Sequence, residues 1–430
     1  MTGSLRLGIA GLGTVGQGVV RVVQTHGELL ARRCGHRIEI AGVSARDRNR
    51  ERGVEVSGYA WYDDAVDLAA AEDVDVVVEL IGGDDGIARE LVERSLGAGK
   101  HVVTANKALI AHRGTALARA AEEAGVALMF EAAVAGGIPI VKAIREGLSA
   151  NAFRRVYGIL NGTCNYILTQ MQESGRDFAE VLTEAQALGY AEADPAFAVD
   201  GIDTAHKLAI LASLAYGMPV NFPAVYIEGI REVEALDIAF AAELGYRIKL
   251  LAIARPTESG IEQRVHPCMV PAETPIAGVS GVFNAVVAEG DFVDRTVYEG
   301  RGAGEGPTAS AVVADILDIA RGNLAPAFSV PVSALERIPV SPMERHKGPY
   351  YVRLTVLDQP GVIADVAAIF RDLDISIESL LQHGRAPSEA VPVVLITHDT
   401  VEAAMVEALG RIGRLPSVKA RPKMIRIEML

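Results

Sequence analysis

The chain has 430 residues, with 41 Lys+Arg against 55 Asp+Glu and a net charge of −14. At ~100–200 residues per domain this length predicts two to four domains. Half of the residues are hydrophobic and 22% charged, which excludes a largely disordered chain, and the acidic balance argues against a nucleic-acid or anionic-membrane surface.

The first block alternates short apolar runs with amphipathic stretches. Strands are expected at 5–10, 38–43, 74–80, 101–105 and 126–130, each the kind of run buried on both faces of a parallel sheet. Helical segments such as VVRVVQTHGELLARR, ARELVERSLGAG and ALARAAEEAG separate them. This βαβα alternation predicts a doubly wound, Rossmann-type sheet over 1–135. Residues 136–304 are less regular. Helical segments at 163–188 and 201–216 precede strand-like runs at 246–254, 264–270 and 283–290, which suits a mixed-sheet α+β domain that carries the substrate. A late helix, about 305–325, is positioned to return to the first domain. A Pro-rich linker follows at 326–348. Residues 349–430 then read βαββαβ, a ferredoxin-like order, with ISIESLLQHG as the second strand.

Cys34, Cys164 and Cys268 match neither a disulfide framework nor a zinc spacing, and each reads as a buried small hydrophobe. The longest apolar stretch, 208–220, is too short to span a bilayer. With no signal-peptide pattern at the start, a cytoplasmic protein is expected.

Gly11-Leu-Gly13-Thr14-Val15-Gly16 follows a strand and opens a helix, the context that makes GxGxxG informative. Gly11 permits a tight turn, Gly13 the approach of a pyrophosphate, and Gly16 close helix–sheet packing. At the end of the second strand stand Arg46 and Arg48 rather than an acidic residue, which suits the 2′-phosphate of NADP. A solvated charge run is the alternative, and Asp47 weakens the case. Thr104 and Lys107 sit at the end of the fourth strand, where open α/β sheets bind ligands, although an exposed lysine at a helix start looks the same. The small-residue turn at Glu131, Val134, Gly136 and Ile138 reads as an interdomain hinge whose carbonyls suit a hard cation. Asp203 and Lys207 are i,i+4 on an apolar helix. Such pairs are usually surface ion pairs, but this helix is too apolar for a solvated face, and a buried lysine suits proton transfer.

GLGTVG, TANK, EAAVAGGIPI, GILNGTCNYILT, LGYAEADP with GIDTAHKLAIL, and GRGAGEGPTASAV occur in that order. Together they resemble homoserine dehydrogenases over nearly the whole chain, and the LDQPGV unit resembles an ACT domain. The resemblance implies NAD(P)-dependent interconversion of L-homoserine and L-aspartate 4-semialdehyde, in the biosynthesis of threonine, methionine and isoleucine. It implies proton transfer by Lys207, with Asp203 setting its position and charge, and Lys107 near nicotinamide and substrate. Glu192, Asn161, Gly162 and Thr163 would hold substrate. Gly189, Gly302 and Gly304 would line the nicotinamide site. Residues 131, 134, 136 and 138 would bind a structural monovalent cation such as Na⁺. Asp358, Gly361 and Ile363 match an effector site, with threonine expected across an ACT–ACT interface of a homodimer or homotetramer; a plain ferredoxin-like packing module is the alternative. One departure matters: Ala198 stands where the family usually carries a carboxylate, which keeps open an impaired, amino-acid-binding regulator. Asp200, two positions along, is a candidate replacement, although residues 198 and 200 point differently on a helix.

Overall fold

The structure, a computed structural model, describes residues 3–383 and 389–430. Its first block is a parallel sheet of β1 (Ser4–Ala10), β2 (Arg37–Ser44), β3 (Ala60–Tyr62), β4 (Val76–Glu79), β5 (His101–Thr104) and β6 (Leu128–Met129). The order is β3-β2-β1-β4-β5-β6, the doubly wound order that places a crevice where the winding reverses, between β1 and β4. Val76, Val77 and Val78 are completely buried because both faces are covered; burial of each contributes roughly 1.5–3 kcal/mol. The crossover helices are α1 (Thr14–Cys34), α2 (Ile87–Gly97) and α3 (Lys107–Ala124). Two details differ from expectation. Strand β3 was not expected, since a three-residue, half-exposed edge strand leaves no alternation to read. The run at 126–130 forms a strand only at Leu128–Met129.

The middle block contains α4 (Ile140–Lys142), which runs into a π-helical turn (Ala143–Gly147), then β7 (Phe153–Ile159), α5 (Gly162–Ser174) and α6 (Phe178–Ala187). The helix expected over 163–188 is two helices, because Gly175 ends α5 in the left-handed region at φ 68°. There follow α7 (Ala196–Val199), α8 (Ile202–Tyr216), β8 (Tyr226–Ile227), α9 (Ala235–Glu243), β9 (Tyr246–Thr257), β10 (Gly260–Pro271), β11 (Phe283–Gly290) and β12 (Arg295–Arg301). Helix α10 (Glu305–Arg321) returns to the first sheet and packs on α1. The approach is close: a Cβ on Gly18 would lie 2.9 Å from the Ala309 methyl.

The last block contains β13 (Lys347–Gly348), β14 (Tyr350–Leu357), α11 (Val362–Asp372), β15 (Ile377–Gln382), β16 (Ala390–Thr397), β17 (Thr400–Val401), α12 (Glu402–Ile412) and β18 (Lys423–Ile427). Apart from the small β13–β17 pair, its strands lie antiparallel in the order β18-β14-β16-β15. Gly384, at the end of the expected strand ISIESLLQHG, lies outside the described residues. This sheet is not separate from the middle one. Strand β18 pairs parallel to β10, so the two join in the order β12-β11-β7-β9-β10-β18-β14-β16-β15.

The Pro-rich connection between blocks is pinned along its length. Phe328 is fully buried against Phe130, the Val332 amide donates to the Glu122 carboxylate at 3.0 Å, and the Pro339 carbonyl accepts from the Ile261 amide at 2.8 Å. All three cysteines are free and buried, as their spacing implied. Among the described residues no helix is long and apolar enough to cross a membrane.

Candidate active site

The glycine turn of the first crossover is shaped by contacts that only glycine allows. Gly11 has φ 100°, and a Cβ there would meet the Leu80 carbonyl oxygen at 2.6 Å. A Cβ on Gly16 would lie 2.0 Å from the Gly11 carbonyl oxygen. Gly13 faces open space and precedes α1 without any side-chain cap, so the first amides of that helix, at Thr14, Val15 and Gly16, stay available to an anion. Across the crevice, Glu79 is buried. It accepts from the Ile81 amide at 2.7 Å and from the Thr104 hydroxyl at 2.6 Å. Asn106 caps α3 by accepting from the Leu109 amide at 3.1 Å and donates to the Gly83 carbonyl at 2.6 Å. Thr104 therefore turns its hydroxyl to Glu79. Arg46 and Arg48 are exposed just past β2, and the Arg48 guanidinium lies 5.7 Å from the centre of the Trp61 ring.

A cluster of two ammoniums and one carboxylate lies where α3, α5 and α8 converge. Helix α8 is buried continuously from Asp203 to Leu214, so its i,i+4 pair is taken out of solvent. Lys207 donates to Asp203 Oδ2 at 2.8 Å and to the Leu160 carbonyl at 2.7 Å. Lys107 Nζ approaches Asp203 Oδ1 at 3.1 Å from the start of α3. Asn161, the N-cap of α5, accepts from the Cys164 amide at 2.8 Å and donates to Asp203 Oδ2 at 2.8 Å. Burial would raise the Asp203 carboxyl, but Lys207 and Lys107 outweigh it and hold the group well below the usual carboxylate range. Burial pushes the Lys207 ammonium down, and the neighbouring Lys107 adds to that, while Asp203 only partly offsets it. The result is an ionised carboxylate that positions a lysine predisposed to give up its proton. The Lys107 side chain is one-third exposed, which marks the open side of the cleft.

The other expected residues are distributed around this cluster. Thr163 donates to the Tyr190 carbonyl at 2.5 Å. Gly162 packs on the 282–284 segment, where a Cβ would lie 2.6 Å from the Val282 carbonyl oxygen. Gly189 turns at φ 74°, and Glu192 is exposed on the loop that follows. Gly302 and Gly304 form the turn into α10; a Cβ on Gly136 would meet the Gly302 carbonyl oxygen at 2.4 Å, so the 131–138 turn and this loop are in contact. The Glu131 carboxylate is already engaged by the Val141 and Lys142 amides, at 2.9 and 2.8 Å. Its pKa is pushed up to about 7 by burial and by Asp315. That leaves carbonyls as the ligands available there. Ala198 lies on α7, where its carbonyl accepts from the Cys164 thiol at 3.3 Å. Asp200 is ion-paired to Arg231, so its carboxylate is not free to take the place of one at 198. Gly361 precedes α11 at φ 98° with no side-chain cap, beside Asp358 and Ile363.

Sequence reading missed several contributors. Phe197 sets its ring 5.7 Å from Lys107 Nζ. His206, buried and pushed down to about 4 by burial and then by His112, packs against His112 and Phe222. Nothing in the sequence marks these as neighbours, since they come from three separate segments. Glu79 is missed for a related reason: it ends an apolar strand, and its side-chain partner Thr104 is 25 residues away in sequence.

Comparison with known proteins bears on the whole chain. Family models match residues 11–131 (homoserine dehydrogenase, NAD binding domain), 139–317 (homoserine dehydrogenase) and 350–414 (ACT domain). A homoserine dehydrogenase of Pseudomonas aeruginosa is 48% identical over 99% of both chains. The crystal structure of a homoserine dehydrogenase from Thiobacillus denitrificans superposes with a TM-score of 0.94 at 44% identity, covering 99% of this chain and 98% of that one. A hyperthermophilic archaeal homoserine dehydrogenase solved in complex with NADPH is 26% identical and covers 75% of this chain and 99% of its own, with a TM-score of 0.63.

Proposed function

The chain belongs to the homoserine dehydrogenase family, and from that premise we propose that it oxidises L-homoserine and reduces L-aspartate 4-semialdehyde through the Lys207–Asp203–Lys107 cluster. The observation that carries the reading is the buried Lys207 at 2.8 Å from Asp203, whose other carboxylate oxygen meets the one-third-exposed Lys107. A nicotinamide bound on the first sheet supplies the hydride acceptor or donor. In oxidation, Lys207 takes the hydroxyl proton, Asp203 keeps the resulting ammonium in place, and Lys107 holds the substrate oxygen at the mouth. The exposed Glu192 carboxylate suits the substrate ammonium, and Asn161-Gly162-Thr163 bounds the other side of the site. The intact cluster speaks for catalysis and against the impaired-regulator reading prompted by Ala198.

In this reading residues 1–135 with α10 bind the cofactor, 136–304 bind substrate and join subunits, 326–348 link, and 349–430 regulate. The homodimer or homotetramer expected from the family would place threonine across ACT–ACT interfaces, with its carboxylate on the uncapped amides after Gly361. The 131–138 turn would hold Na⁺ or a similar cation through main-chain carbonyls, which suit such an ion. Exposed Arg46 and Arg48 favour NADP.

The test is absorbance at the reduced-nicotinamide band with homoserine and either NADP⁺ or NAD⁺. Homoserine-dependent reduction is expected, faster with NADP⁺ at low cofactor. Silence with both cofactors would move the regulator reading to the front. Arg46→Ala should raise KM for NADP⁺ by about tenfold, the loss of one charge-assisted contact of ~1.5 kcal/mol, and leave NAD⁺ unchanged. An unchanged NADP⁺/NAD⁺ ratio would remove Arg46 from the 2′-phosphate site.

A further inference from the structure

Residues 226–231, which comprise β8 and the chain just after it, form a strap between the last strand of the ACT unit and the start of α8. On the ACT side, Arg426 of β18 is only 1% exposed. It donates to Glu228 Oε2 at 2.8 Å and to the Tyr226 hydroxyl at 3.1 Å, and its guanidinium lies 5.2 Å from the centre of the Tyr226 ring. The Tyr226 hydroxyl in turn donates to Glu228 Oε2 at 3.0 Å. The rest of the guanidinium is taken up by Glu402, with Nε at 3.0 Å from Oε2. Strap and ACT strand are therefore joined by a charged node that is buried at Arg426 and Glu402 and part-exposed at Glu228.

On the other side the strap meets the active-site segment through main-chain contacts that leave no slack. The Glu228 amide donates to the Val265 carbonyl at 2.8 Å and the Ile230 amide to the Val199 carbonyl at 2.9 Å. A Cβ on Gly229 would sit 2.3 Å from the Val199 carbonyl oxygen and 2.5 Å from Asp200 Cα. Gly201, the N-cap of α8 at φ 86°, faces Ile227, whose Cγ2 is 3.1 Å from where a Cβ would lie. Arg231 closes the strap with its ion pair to Asp200. Asp203 lies two residues beyond Gly201, and Lys207 one turn further. The same segment holds α7, whose Ala198 carbonyl meets Cys164 and whose Phe197 ring covers Lys107.

Close-packed interiors pass displacement on rather than absorb it, and a misplacement of about 1 Å in a reacting group can cost ~10²-fold in rate. We propose that Glu228, gripped by Arg426 and Tyr226, is a positioning residue: it fixes the strap and through it the start of α8, so that the placement of Asp203 and Lys207 depends on the last strand of the ACT unit. The inference rests on the homoserine dehydrogenase reading above. It names the contacts through which a displacement of the last ACT strand would be passed to the reacting groups.

The test uses the full-length enzyme with homoserine and the preferred cofactor. Glu228→Ala should lower kcat about 5–20-fold and leave KM for the cofactor within twofold, because the strap's contacts are with Val199–Gly201, Val265 and Arg426 rather than with the glycine turn. Glu228→Gln keeps an acceptor for Arg426 and Tyr226 and should restore at least half of the wild-type kcat. Arg231→Gln cuts the strap's other ion pair at an exposed position, where such a pair contributes little to stability, and should lower kcat at least threefold with the same unchanged cofactor KM. The inference is overturned by a kcat within twofold of wild type in Glu228→Ala or Arg231→Gln, by kcat and cofactor KM moving in parallel, or by a Gln variant as impaired as the Ala variant. A wild type inactive on homoserine overturns the activity reading and this inference with it; an active wild type with unaffected variants overturns this inference alone.

Discussion

Lys207→Ala is expected to lower kcat for homoserine oxidation about 10³-fold or more while cofactor binding stays within twofold. The side chain is buried, and its ammonium donates to the Leu160 carbonyl and the Asp203 carboxylate. Proton transfer by a positioned group contributes ~10²–10⁴-fold, and removal of this lysine also leaves Asp203 with one fewer countercharge. Lys207's hydrogen-bond partners are Leu160 and Asp203 rather than the Gly11–Gly16 turn proposed to hold the cofactor, so equilibrium binding of NADP⁺ by fluorescence is the control. Equal losses of cofactor affinity and turnover would contradict the assigned role. The pH dependence follows in sign. Burial depresses the Lys207 ammonium, and the neutral amine is the proton acceptor in oxidation. Oxidation should therefore rise with pH and level off below the ~10.4 of an ordinary lysine, and semialdehyde reduction should show the opposite trend. A rate that rises only at or above that value would mean Lys207 is not the titrating group.

Asp237→Ala is expected to destabilise the junction between the middle block and the ACT unit by ~3–5 kcal/mol, the usual cost of removing one partner from a buried ion pair. Asp237 on α9 is 1% exposed. It accepts from Arg353 Nε at 2.6 Å, from Arg353 Nη2 at 3.0 Å and from the Tyr351 hydroxyl at 2.9 Å, all from β14. The variant leaves the buried Tyr351 phenol without its acceptor and the buried Arg353 guanidinium without two of its hydrogen bonds. Glu234, which also reaches Arg353 at 2.8 Å, limits the damage to the lower part of that range. Differential scanning calorimetry should show a fall of several degrees in the thermal midpoint, and Asp237→Asn a smaller one because it keeps an acceptor for Tyr351. A change below 1 °C in Asp237→Ala would show that this pair does not secure the junction.

Much of the architecture was legible in the residues. Apolar runs punctuated by Gly11, Gly35 and Gly125 specify strand, turn and helix locally, because buried parallel strands and left-handed caps demand those residue types whatever surrounds them. The i,i+4 spacing of Asp203 and Lys207 likewise declared a shared face, and the apolar helix around them declared that face buried. The short strand β3, the break at Gly175 and the pinned connection at 326–348 were not legible, since their conformations are set by distant partners such as Phe130, Glu122 and Ile261.

By itself, then, the sequence determined the doubly wound cofactor sheet, the βαββαβ unit and the residues that carry charge into an apolar core, because period, glycine placement and i,i+4 geometry are local properties. Tertiary structure alone decided the rest. It brought Lys107 and Asn161 onto Asp203, turned Thr104 toward Glu79, committed Asp200 to Arg231 and fused the ACT sheet to the middle sheet at β10 and β18. Each of these is a contact between segments far apart in the chain, and its energy comes from burial and charge pairing that exist only once the segments have met.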